Sequence, residues 1–174
     1  MLIGITGTNG AGKGTIAQHL NQHHKFTYIS VRNFFAGELI RQGKAHTREA
    51  VARVAAELKA AHGQTYALEQ LLVSSHGNVV IESIRTPQEV AYLKAKGGMV
   101  WAVDADVETR FQRTQKRDLD MGAITRQQFM ANEATDAALG EVIAKADVHI
   151  NCDGSLQDVH TKVEQALAKA GYKE

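Results

Sequence analysis

Two kinds of segment alternate along this chain. Short, mostly apolar runs occupy residues 2–5, 26–29, 79–81, 100–103 and 148–150. Each is too short for a helix and predicts a strand buried on both faces. Longer segments between them carry apolar residues every three or four positions, which predicts amphipathic helices. Ile16 and Leu20 lie four apart within residues 11–24. Val51, Val54 and Leu58 form one stripe within residues 47–62, and Gly63 stands just past its end. Leu156, Val159, Val163 and Leu167 form the buried face of a last helix.

Capping residues place several helix starts. Thr86, Pro87 and Glu89 supply a cap, a proline at the first helical position and a carboxylate at the third, and Gly97 and Gly98 stop that helix. Asp106 can cap the segment after the fourth run. Thr125 and Gln128 open a long helix to about residue 138, and Ser155 and Asp158 open the final one. A strand followed by a helix, repeated, predicts a five-stranded parallel sheet covered on both faces. The expected fold is therefore α/β, a three-layer α/β/α sandwich forming a single domain over residues 1–174. No internal repeat, low-complexity tract or linker interrupts it.

Composition agrees with this reading. Of 174 residues, 44% are hydrophobic and 22% charged, ordinary values for a folded domain. A chain of this length buries about 70% of its unfolded surface and needs no disulfide or metal staple. Twenty basic and nineteen acidic residues give a net charge of +1, which does not predict nucleic-acid binding. No run approaches the ~20 apolar residues of a membrane span. No basic region followed by an apolar core precedes Leu2, so a secretory leader is not expected. The single cysteine, Cys152, excludes a disulfide framework and fits a reducing, cytoplasmic setting. It reads as a small apolar filler. No glutamate stands near an i, i+4 histidine pair in sequence, the placement that would signal a zinc site, and the eight histidines read as helix-surface residues.

The densest chemical signal is Gly7-Thr8-Asn9-Gly10-Ala11-Gly12-Lys13-Gly14-Thr15, between a predicted strand and a predicted helix. Such a phosphate loop bends so that backbone N–H groups and the helix N-terminus form an anion-binding hollow. Lys13 would reach the terminal phosphates, and Thr15 would hydrogen-bond a phosphate near the helix start. Where such loops usually carry a hydroxyl that ligates Mg²⁺, this chain has Gly14.

The Gly-Lys-Gly-Thr form resembles adenylate kinase and related nucleoside monophosphate kinases. The resemblance implies an ATP-binding, P-loop nucleotide kinase-like fold with strand order 2-3-1-4-5 and a small lid at about residues 117–127. It implies Mg²⁺ with ATP, held largely through water. In the Val80-Ile81-Glu82-Ser83-Ile84-Arg85-Thr86 segment, Glu82 would hold metal waters and Arg85 would grip the phosphate in transfer. Read without the resemblance, Glu82 also suits a turn cap and Arg85 a surface position. Arg110, Arg113 and Arg117 fall within about 60° on one helix face. Arg113 and Arg117 match the arginines that stack on the base or clamp phosphates in that family; a solvated basic face is the alternative. These like charges have no obvious acidic partner at helical spacing, so this helix, with the segment to Arg126, is expected to close when phosphates arrive. The loop carrying Asp153 and Gly154 matches the one that wraps adenine.

The acceptor side departs from adenylate kinases. Ser30-Val31-Arg32-Asn33-Phe34-Phe35 stands where they carry threonine-glycine-aspartate-x-leucine-arginine. Ser30 and Arg32 would contact the acceptor, with Arg41, Arg48 and Arg53 as further anion contacts or as plain surface charges. Dephospho-coenzyme A kinases want an aspartate near there as base, and Arg32 counts against that activity. The whole pattern is similar to a less characterised group of P-loop kinase-like proteins, some joined to deoxycytidylate deaminases. It implies an ATP-dependent phosphotransferase acting on a nucleotide or nucleotide-like acceptor. A regulatory nucleotide-binding module or slow ATPase is the alternative. The absence of an Asn-Lys-x-Asp guanine motif argues against a guanine-nucleotide switch.

Overall fold

A computed structural model describes residues 1–117, 124–134 and 137–173, with the side chains at 48, 117, 137 and 138 excepted. In chain order the elements are β1 (Leu2–Thr6), α1 (Lys13–His24), β2 (Thr27–Ser30), α2 (Val31–Arg41), α3 (Arg48–His62), α4 (Tyr66–Val73) and β3 (Val79–Glu82). They continue with α5 (Pro87–Ala95), β4 (Met99–Asp104), α6 (Val107–Arg117), α7 (Arg126–Ala134), α8 (Ala137–Ala144), β5 (Val148–Asn151) and α9 (Leu156–Lys169). The sheet order is β2-β3-β1-β4-β5, and every pairing is parallel.

The period-2 geometry of a strand sends successive side chains to opposite faces. Ile3 and Ile5 of β1, with Val80, Trp101 and Val103, face a core completed by α1 and α9. Val79, Ile81 and Val100 face a second core with α2, α3 and α5. Both faces are therefore dry, which is why these strands read as unbroken apolar runs. Gly4 lies on the second face, where a Cβ would stand 2.4 Å from Leu93 Cδ1. Its missing side chain is what lets α5 approach the central strand.

The expected caps form. Thr86 and Glu89 make a reciprocal capping box at α5, and Ser155 and Asp158 make another at α9. Thr47 caps α3 by accepting from Ala50 N. One helix expected to run from Thr125 to about residue 138 is instead α7, which ends at Ala134, followed by a separate α8. Residues 135 and 136 lie outside the described residues. Most of the expected lid, residues 118–123, also lies outside them. Helices α2 and α4 were not foreseen. The spacing Val31, Phe35, Leu39 after the N-cap Ser30 is the signal that marks α2, and all three side chains are buried.

Candidate functional site

The phosphate loop joins the C-terminal end of β1 to α1, at the centre of the sheet's carboxyl edge. Its shape depends on glycine where other backbone crowds it. Gly7 has φ 135°, and a Cβ there would lie 2.0 Å from Val103 O. Gly10 has φ 79°, and a Cβ there would lie 2.3 Å from Arg110 O. Both the left-handed conformation and the close approach exclude larger residues. Lys13 Nζ donates to the carbonyls of Gly7 (2.8 Å) and Thr8 (2.7 Å), which holds the ammonium across the loop. Thr8 Oγ1 donates to Asp104 Oδ1 at the end of β4 (3.2 Å). Ala11 is fully buried, and Thr15 sits in the first turn of α1, partly exposed.

Glu82 closes β3, beside that turn. A Cβ on Gly14 would lie 3.5 Å from Glu82 Oε2. The carboxylate thus stands next to the position where a hydroxyl is missing. Ser30 Oγ donates to Glu82 Oε1 (3.2 Å) and also accepts from Asn33 N, so Ser30 is both helix cap and carboxylate support. Tyr28 hydrogen-bonds Glu82 as well. Burial, then the Glu82 charge and this bond, push the phenol well above its ordinary range. The donors gathered here are all oxygen, the set that suits Mg²⁺ held partly through water.

Arg85 lies three residues beyond Glu82, between β3 and α5. Its segment is fixed from behind by Glu89, a fully buried carboxylate. Glu89 Oε2 accepts from Arg85 N (2.8 Å) and Thr86 N (3.0 Å), and Oε1 accepts from Lys59 Nζ (2.7 Å). A cavity of about 460 Å³ opens here. Thr8 and Asn9 of the loop, Arg32 of α2, Lys59 of α3 and Arg85 all line it, with Phe35, Val51 and Phe129 among its apolar walls. Arg32 and Arg85 are thus brought to one space with the phosphate loop. Lys59 and Phe129 were not singled out from the sequence, because nothing in their local pattern distinguishes them from an exposed helix lysine and a core aromatic.

The arginines of α6 divide. Arg110 is buried and paired, contrary to the expectation of a like-charged row without acidic partners. Its Nε donates to Ala105 O (2.9 Å), its Nη1 pairs with Glu133 of α7, and its guanidinium lies over Phe129. The acidic partner comes from another helix, so no i, i+3 or i, i+4 search could show it. Arg113 Nη2 donates to Cys152 O (2.8 Å), while Nη1 is buried without a hydrogen-bond partner among the described residues. Arg113 therefore bridges the phosphate-loop side and the Cys152 loop. Helix α6 ends at Arg117, and Arg126 approaches Glu108 at 3.5 Å on the surface.

Cys152 packs beneath the loop, its Sγ 3.3 Å from where a Cβ on Gly12 would be. Burial pushes its thiol up to about 11, with Arg113 pulling the other way. Asp153 accepts from Asp106 N (2.9 and 3.1 Å) and Asn151 Nδ2 (2.8 Å). The Asn151 bond and then the Asp106 bond hold its carboxyl below the usual range. Its oxygens are committed to shaping the turn that Gly154, at φ 101°, completes. The histidines are not all surface residues. His19 and His24 are buried at the end of α1, against α9.

Among the described residues no helix is long and apolar enough to cross a membrane. A family described as AAA domain matches residues 3–139. A UPF0200 protein of Methanococcus maripaludis strain C7 is 30% identical over 175 residues, covering 95% of each chain. Among solved structures, TT1252 from Thermus thermophilus superposes with a TM-score of 0.67 at 22% identity, covering 97% of each chain. Shikimate kinase from Aquifex aeolicus superposes with a TM-score of 0.66 at 15% identity, covering 98% of each. The fold is that of P-loop kinases. With the phosphate loop, the sheet order and these matches in agreement, the chain belongs to the AAA domain family and to the P-loop kinase-like UPF0200 proteins.

Proposed function

We propose that the chain transfers the γ-phosphate of ATP to a nucleotide or nucleotide-like acceptor, and that the accepting group is itself a phosphate. The observation that carries this reading is the single cavity lined at once by Thr8 and Asn9 of the loop and by Arg32, Lys59 and Arg85. Donor and acceptor phosphates meeting there face fixed positive charge, the main protein contribution to phosphoryl transfer.

The acceptor class follows from what the cavity does not offer. An alcohol acceptor needs a base for its proton. Glu133 is the one carboxylate among the described lining residues, and Arg110 engages it. A phosphate acceptor is already ionised and needs no base, only cations to offset its charge. On this reading the loop amides from Thr8 to Thr15, with Lys13, hold the donor phosphates. Arg113, with the Asp153-Gly154 turn, borders the base. Arg85 and Arg117 offset charge on the transferring group, and Ser30 and Arg32 stand on the acceptor side. Mg²⁺ bound with ATP would neutralise phosphate charge. Glu82, steadied by Tyr28 and Ser30, would hold its waters from the β3 end.

Coupled ADP-release assays over a panel of nucleoside monophosphates and matched nucleosides test the proposal. ADP release that depends on a phosphate-bearing acceptor, and not on the matched nucleoside, is expected. Tight ATP binding with acceptor-independent, slow release would instead support the regulatory-module or slow-ATPase reading.

A further inference from the structure

Away from the cavity, four imidazoles and a carboxylate collect where the far end of α1 packs on α9. Helix α1 carries His19 and His23 one turn apart, then His24. Helix α9 carries His160 and Glu164 one turn apart. The His19 and His160 rings stack with centroids 4.0 Å apart, and His23 lies 4.7 Å from His19. Two of the rings converge on one atom: His19 Nε2 lies 2.6 Å and His24 Nε2 2.8 Å from Glu164 Oε1. One ligand atom from each of these three residues lies within 4.8 Å of the others.

We propose that His19, His24 and Glu164 form a binding site for a divalent first-row transition metal of the zinc type. Neutral imidazole nitrogens with one carboxylate oxygen are a donor set that such ions prefer over Mg²⁺ or Ca²⁺. Metal–ligand bonds of about 2.0–2.2 Å place tetrahedral ligand atoms roughly 3.3–3.5 Å apart. The present spacing reaches that by small side-chain shifts, with the ion taking over the role of the shared Glu164 oxygen. His19 Nδ1 is buried with no hydrogen-bond partner among the described residues, so the Glu164 contact is the polar bond that orients this ring.

Burial and exposure divide in a way that suits an ion. The two histidines are 7% and 8% exposed, whereas the Glu164 side chain is 49% exposed. The ion would enter from the carboxylate side and keep water as its fourth ligand. Tyr172 closes the opposite side, its ring edge-on to His24 and its hydroxyl donating to His24 O (3.0 Å). The site would tie the end of the phosphate-loop helix to the last helix, so its consequence is for the fold, independent of which acceptor the cavity takes.

The test is equilibrium Zn²⁺ binding to the full, untagged chain after chelator treatment, against a competing indicator dye and in excess Mg²⁺. One Zn²⁺ per chain is expected, with a rise in melting temperature and a tetrahedral visible spectrum when Co²⁺ replaces it. Glu164→Gln should weaken Zn²⁺ binding by roughly 10–100-fold or more, since even groups behind a metal ligand carry that much. Because Glu164 is half-exposed, this variant should keep the native circular dichroism. His46→Ala, at an exposed position far along the chain, should bind as the parent does. Absence of saturable one-to-one binding, or equal affinity in Glu164→Gln and the parent, overturns the proposal.

Discussion

Lys59, in the cavity wall, meets Glu89 at 2.7 Å, where the carboxylate is fully buried and the lysine side chain keeps 16% exposure. Glu89 also holds the Arg85 and Thr86 amides, so one side chain joins α3, α5 and the strand-end segment that presents Arg85. Removing one partner of a buried pair costs about 3–5 kcal/mol, because the other charge is left without compensation. Glu89→Ala should approach that loss in denaturant unfolding. Lys59→Ala should cost less, since Glu89 keeps two backbone donors. Equal losses would show that the amide bonds contribute little.

Lys13→Ala should abolish phosphoryl transfer and leave the thermal unfolding curve close to the parent's. Lys13 is tied to the rest of the structure through loop carbonyls. Its loss from the charge-stabilising loop should cost about 3–4 kcal/mol at the transition state. Coupled turnover with a melting curve checks both halves, and near-native turnover would remove this loop from the reaction.

Arg85→Ala should lower kcat far more than it weakens ATP binding. Arg85 lines the cavity beside the loop, whereas on the proposed function the loop amides and Lys13 hold the donor phosphates. An interaction made chiefly with the transferring group shows in kcat. A large, equal loss of ATP affinity by titration would place Arg85 on the donor instead.

Cys152 should resist alkylation at neutral pH, because its thiol is buried and pushed up to about 11 from 9.0. The linked stability has a definite sign. Below pH 9 the thiol is neutral in both folded and unfolded chains and contributes no pH dependence. Between pH 9 and 11 the unfolded thiol ionises first, so this group disfavours the fold increasingly as pH rises. Rapid modification of the native protein by iodoacetamide at pH 7 would contradict the burial.

The elements legible in the sequence are those specified locally. Thr86-Pro87-Glu89 and Ser155-Asp158 marked α5 and α9 because a cap needs only residues three apart. The strands were legible because both faces are buried. The sheet order and the loop's kinase-like character came from resemblance, which carries the arrangement that spacing does not. The Arg110–Glu133 pair and the His19–Glu164 contact are 23 and 145 residues apart in sequence. Such contacts depend on how helices pack, and no helical period encodes them. For the same reason helical spacing puts Arg110 and Arg113 on one face, although Arg110 is buried against α7 and Arg113 reaches the Cys152 loop.

Beyond the loop, the cavity draws its walls from three stretches far apart in the chain: Arg32, Phe35, Val51 and Lys59, then Ser83 and Arg85, then Phe129, Glu133 and Leu139. The loop that would grip ATP contributes only Thr8 and Asn9 at its rim. On the proposed function, substitutions on α2, α3 or α7 would therefore reshape the acceptor's berth while leaving the phosphate-loop backbone untouched. Under that proposal the scaffold separates what must stay constant from what can drift, and a lineage would change its acceptor without rebuilding its donor grip.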